Sequence, residues 1–170
     1  MYLKLIGAIL IIAGCGGYGI LMAMNHRREV KALHQLIYVL QQMICELEYR
    51  MPPLPELCRF GGGCTSGVIR SFFLTLARMM DEQVSPDVAT CTIAALKSVS
   101  GIPSQAAAQL QSLGQTLGRF DLSGQLVGLE RCAQACQGQL EVMEHQQTQR
   151  LRSYQTLGFC AGAALAILLF

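Results

Sequence analysis

The two ends of this chain limit it most. Residues 1–24 read MYLKLIGAILIIAGCGGYGILMAM and carry one charged side chain, Lys4. Residues 157–170 read LGFCAGAALAILLF and carry none. Bilayer hydrocarbon is roughly 30 Å thick and takes about 20 apolar residues of helix to cross. The first stretch reaches that length alone. The second reaches it by recruiting Leu151 to Thr156, with Arg152 snorkelling toward the headgroups. Two crossings put everything between them on one side of one membrane. The expected organisation is a transmembrane helix over 1–24, a helical domain over 25–150 and a transmembrane helix over 151–170.

Orientation follows from the basic residues beside these stretches. His26, Arg27, Arg28 and Lys31 follow the first, and Arg150 and Arg152 precede the second. The positive-inside rule puts the middle in the cytoplasm and both termini outside, in the cell membrane. A competing reading lies within the first stretch. Ile12-Ala13-Gly14-Cys15 has the form of a lipobox, with Lys4 as a charged leader and Leu5 to Ile12 as its apolar run. That reading makes the chain an exported lipoprotein with a helical interaction domain. Against it, apolar residues continue to Met24, and a basic cluster follows at once, as after a retained anchor.

Small residues recur in both stretches. Gly158 and Gly162 form GxxxG, extended by Ala166, and Ala13/Gly17 and Gly19/Ala23 repeat the spacing. Lipid cannot drive helices together hydrophobically, so residues that let backbones touch matter there. Packing of the two spans on each other is the simplest use, and contacts between copies in a homo-oligomer are the second.

The middle reads as all-α. Val30, Leu33, Leu36/Ile37, Leu40, Met43/Ile44 and Leu47 step by three and four, and no Gly or Pro interrupts residues 21–51. One long helix leaving the membrane is expected. Pro52, Pro53 and Pro55 end it, and Pro55 belongs in the first turn of a short helix over 56–60. Gly61-Gly62-Gly63 reads as a flexible corner. Thr65 or Ser66 then caps a helix to about Glu82, with Val68, Ile69, Phe72, Phe73, Leu76, Met79 and Met80 on its inner face. Ser85-Pro86-Asp87 reads as a cap, an N1 proline and an early acid for a helix to about Val99. Ser104 caps another to about Gly118. A turn near Asp121 leads to a last helix patterned by Leu126, Leu129, Ala133, Cys136, Leu140 and Met143. These elements make a helical bundle between two membrane helices.

The remaining chemistry is sparse. Net charge is +2, with no basic run interleaved with aromatics, so nucleic acid is excluded as a partner. Gly61 to Gly63 lack the GK[ST] and the preceding strand of a phosphate loop. Cys15 and Cys160 lie in the spans, and the other six of the eight cysteines face a reducing cytoplasm, so free thiols are expected. Cys132 and Cys136 with Cys58 and Cys64 lack the CxxC spacing of a zinc site. Glu46, Glu48 and Glu56 read as a solvated helix end rather than a cation site. No cofactor, metal site or catalytic set is expected. Gly114 and Gly118, four apart, permit a close helix approach, within the domain or to a partner.

Three stretches together carry a family resemblance. They are Glu46-Leu47-Glu48-Tyr49 followed by Pro53-Leu54-Pro55-Glu56-Leu57, then Leu113-Gly114-Gln115-Thr116-Leu117-Gly118-Arg119-Phe120-Asp121 with Gln125, and Leu157-Gly158-Phe159 opening the apolar tail. With the leading span they resemble the stage III sporulation protein AB family of endospore-forming bacteria, over the full length. The connector from Cys58 to Cys64, rich in Cys and Gly, departs from it. That family in turn resembles the cytoplasmic domain of the inner-membrane platform of type II secretion and type IV pilus machines. The resemblance implies a non-enzymatic platform in the mother-cell membrane around the forespore. Its implied partners are a secretion-type cytoplasmic ATPase and the ring proteins of a channel. The implied partner or packing surface is Glu46, Glu48, Tyr49, Pro53, Leu54, Gly114, Gly118 and Asp121.

Overall fold

The structure is a computed structural model. It describes residues 2–118 and 123–145, with side chains described for 24–118 and 123–145. Six helices are defined there: α1 (Tyr2–Arg50), α2 (Leu54–Gly63), α3 (Gly67–Asp81), α4 (Val88–Ser98), α5 (Ser104–Thr116) and α6 (123–145). No strand occurs among the described residues. The bundle is all-α, as the periodicity requires.

α1 runs as one helix of 49 residues. Its inward stripe is the expected one. Leu33, Leu36, Leu40, Met43 and Leu47 are buried, and Val30, Ile37 and Ile44 pack partly buried beside them. Ala32 and Val39 are buried as well, which widens the stripe where α2 and α3 close over it. Burying a Leu, Phe or Met side chain contributes about 1.5–3 kcal/mol, so this stripe is a main source of cohesion. α3 supplies Ile69, Phe72, Phe73, Leu76 and Ala77 from the opposite side. The Phe72 and Phe73 rings meet edge to face, with centroids 5.3 Å apart. α6 closes the bundle with Leu129, Cys132, Ala133, Cys136, Leu140 and Met143.

Among the described residues, no helix is long and apolar enough to cross a membrane. For residues 2–23 only the backbone helix is described, and residues 151–170 lie outside the described residues altogether. Among the described residues the structure defines a helical bundle.

Three local expectations need correction. Gly61, Gly62 and Gly63 do not form a corner. They are the last turn of α2, and the corner begins at Cys64. The reason is packing. A Cβ on Gly61 would stand 2.8 Å from Met43 Sδ and 3.1 Å from Val39 Cγ1, and one on Gly62 would stand 2.9 Å from Leu74 Cδ2. The glycines let α2 lie against α1 and α3, which offsets their poor helix propensity of about 1 kcal/mol each. α4 starts two residues late, with Asp87 rather than Ser85 at the N-cap. Thr90 Oγ1 donates to Asp87 Oδ2 at 3.3 Å, so the acid still serves the first turn. Ser104 is the first residue of α5 rather than its cap, which is Pro103. Its hydroxyl donates to Glu29 Oε1 on α1 at 2.9 Å.

Candidate interaction surface

Gly118 joins three elements at the end of the bundle where α1 stops. The backbone there has φ +79, and a Cβ would stand 2.6 Å from Val88 Cγ2 and 3.7 Å from Leu54 Cδ2. The start of α2, the start of α4 and the end of α5 therefore meet at one place. Gly118 lies past α5, after the cap Leu117, so it serves a turn and not a helix face. Gly114 is different. It is buried in α5, directly against Thr92 of α4. Gly114 is a packing residue inside the domain and is not available to a partner.

The surface at this end is unusually apolar. Tyr49 is 89% exposed, Met51 63% and Val84 60%, higher than the other exposed large hydrophobic residues. Met51 and Gln83 each have φ 49, a left-handed conformation that non-glycine residues rarely adopt. Both sit in corners of this end, after α1 and after α3. Proline follows each corner, at Pro52 and Pro86. Pro53 is exposed, and Leu54 is half buried against the core. The charged residues are bland. Glu46 pairs with Arg50 one turn on at 3.3 Å, and Glu48 is exposed. An exposed pair of this kind contributes about 0.3–0.5 kcal/mol.

Of the residues that the sequence singled out, Tyr49, Pro53, Leu54 and Gly118 come together here, with Glu46 and Glu48 just behind. Gly114 does not. Asp121 lies outside the described residues, as do the side chains of Ala13, Gly17, Gly19 and Ala23 and the whole of Gly158, Gly162 and Ala166. Sequence reasoning missed Met51, Gln83 and Val84. For Met51 the available signal was an apolar residue in a turn immediately before a proline; Val84 stands two residues before Pro86, and nothing local marks Gln83.

Four of the described thiols are core residues, while Cys45 is exposed and Cys64 partly so. Cys58, Cys91, Cys132 and Cys136 are buried, and all six described cysteines are free. Burial pushes the Cys58 thiol up to about 12. Cys132 and Cys136 share a hydrogen bond on α6. It holds the Cys132 proton in place, with burial acting the same way, and it favours ionisation of Cys136. Cys132 Sγ also approaches the Gln109 carbonyl at 3.6 Å. Among the described residues, no three His, Cys, Asp or Glu side chains are grouped to hold a metal ion.

The fold and this surface define an all-helical bundle domain whose exposed chemistry is concentrated at one end of a long leading helix. The chain belongs to the stage III sporulation protein AB family: the family model matches residues 4–170. It is also similar to a solved structure of "Stage III sporulation protein AB (SpoIIIAB)", at 20% identity and a TM-score of 0.61, covering 72% of this chain and 98% of that one. At that identity the likeness concerns the fold. No curated protein matches this sequence.

Proposed function

We propose that this chain is a non-enzymatic membrane platform in a sporulation-specific, secretion-like channel between mother cell and forespore. Residues 1–24 and 151–170 anchor it in the mother-cell membrane, and the bundle hangs in the cytoplasm. The end bearing Tyr49, Met51 and Val84 takes the cytoplasmic ATPase, and the anchors stand beside the channel's ring proteins. Membership in a stage III sporulation family supports the developmental setting. The observation that carries the coupling role is the single helix from Tyr2 to Arg50. It gives the apolar stretch and the exposed tip one rigid backbone, so force or position at one end is felt at the other.

The test has two parts. A protease site placed in the exposed corner at Gln83 to Ser85 should be cut only from the cytoplasmic side of sealed cells. Cutting from outside would end the reading in favour of an exported protein, and labelling by palmitate that Cys15→Ala removes would then name the anchor. In the second part, Tyr49→Ser with Met51→Ser should leave the helical circular dichroism unchanged and cut recovery of the ATPase in mild detergent at least about tenfold, as loss of about 1.4 kcal/mol implies. Unchanged recovery would move the partner surface elsewhere.

A further inference from the structure

The end of the bundle that exposes Tyr49, Met51 and Val84 is also where the chain collects its negative charge. The stretches 46–56 and 81–87 hold six of its 11 acidic residues and one basic residue, Arg50, in a chain of net charge +2. Arg59 of α2 pairs with Asp81 at the end of α3, which brings the two stretches side by side. Arg50 pairs with Glu46. Taken singly these carboxylates are ordinary. With the pairs set apart, Glu48, Glu56 and Glu82 remain exposed, and none is in an ion pair among the described residues. Arg78, one turn back on α3, makes no ion pair with Glu82. The basic cluster of α1 is too distant to offset them. Lys31 lies about 26 Å from Glu48 along the helix at 1.5 Å per residue, well past the screening length of about 8 Å at physiological salt.

The ends of α1 and α3 give an independent observation of the same sign. α3 ends in a left-handed residue, Gln83, and its last carbonyls are answered. The Glu82 N–H donates to the Arg78 carbonyl, the Gln83 N–H to Met80 and the Val84 N–H to Met79. α1 ends on the same conformation at Met51. Pro52 stands where α3 has Val84, and proline has no N–H to give. The Met51 amide closes on the Leu47 carbonyl at 3.2 Å instead. With prolines at 52 and 53, the carbonyls of Glu48 and Tyr49 have no amide four residues on. The negative end of the longest helix therefore opens beside Glu48 and between the two most exposed apolar side chains. Carboxylates and open carbonyls are acceptors only, and ammonium and guanidinium groups are donors that serve both.

We propose that this end docks a protein surface with an apolar recess bordered by lysine and arginine. The recess receives Tyr49 and Met51, and the border meets Glu48, Glu82 and the last carbonyls of α1. The proposal rests on the platform reading and states the chemistry of the face that the ATPase presents there. In such an interface the apolar centre holds the partner, while the charged border sets the rate of encounter and the choice of partner. Its signature is salt dependence.

The full chain in mild detergent is titrated with the purified ATPase from about 0.1 M to about 1 M sodium chloride, over which the screening length shortens from about 10 Å to about 3 Å. Affinity should fall as salt rises. Glu48→Gln with Glu82→Gln should weaken binding about fivefold at low salt and flatten the salt dependence. Glu48→Lys with Glu82→Lys should weaken it at least about tenfold further, because like charges then face each other. Both sites are exposed, so the helical circular dichroism should not change. Glu141→Gln, late in α6, should bind as the parent does. Affinity that Tyr49→Ser with Met51→Ser destroys, but that salt and the charge variants leave alone, overturns the basic border and leaves the platform reading standing. Tighter binding by the lysine variant also overturns it, since the partner face is then acidic. Affinity untouched by either set of variants removes the docking end and the proposal together.

Discussion

Thr92 and Gly114 show how little slack the core has. Thr92 is buried, and its hydroxyl donates to the Val88 carbonyl at 2.8 Å, which fixes its rotamer. A Cβ on Gly114 would stand 2.6 Å from Thr92 Cβ and 2.7 Å from its Cγ2. The Gly114→Ala variant should lose about 1–3 kcal/mol, because overpacking outweighs the gain in helix propensity. Thr92→Ala should not rescue it, since the Cβ clash remains, whereas Thr92→Gly should recover part of the loss. Urea melts of the detergent-solubilised chain check both. Cys58 gives a pH prediction. Its thiol is raised from 9.0 to about 12 by burial. Between those values the unfolded chain has lost this proton and the folded chain still holds it. Stability is therefore intact below pH 9 and falls as pH rises, by about 1.4 kcal/mol per unit from this group. Cys58→Ala should remove that slope, lowering by one the number of protons released on alkaline unfolding.

At the level of elements, the sequence carried the helices well and their contacts poorly. Every described helix has a stripe of the expected period, because 3.6-residue spacing is a property of one element alone. Gly61 to Gly63 failed because their conformation is decided by α1 and α3, which no local pattern encodes. Tyr49 and Pro53 were legible as a surface only through the family resemblance, and Met51 and Val84 became visible only once three corners met at Gly118. The glycine run also makes a graded prediction. Gly63 has open space for a Cβ, so Gly63→Ala should be neutral or stabilise by up to about 1 kcal/mol. Gly62→Ala meets only the half-exposed Leu74, which can turn aside at small cost. Gly61→Ala presses on Met43 and Val39 within the core and should lose about 1–2 kcal/mol. A flexible corner would show three equal, small effects, so thermal melts of the series separate the two descriptions. The α2–α3 ion pair of Arg59 with Asp81 is exposed and contributes at most about 1 kcal/mol to the same packing.

For the whole molecule, the consequence of α1 is mechanical. Its 49 residues span about 74 Å, and the part from Asn25 to Arg50 extends about 39 Å from the apolar stretch. A helix of that length transmits rotation and displacement only while its hydrogen-bond ladder is unbroken. Three glycines inserted between Met24 and Asn25 would interrupt the ladder outside the described core, whose first buried α1 residue is Ala32. The bundle should keep its unfolding midpoint, and the ATPase should still be recovered with it, because the tip is untouched. Spore formation should fall steeply nonetheless if the chain passes movement or fixed orientation between ATPase and channel. Normal sporulation in that variant would mean that the helix serves only as a tether, and the coupling role would pass to the assembly around it.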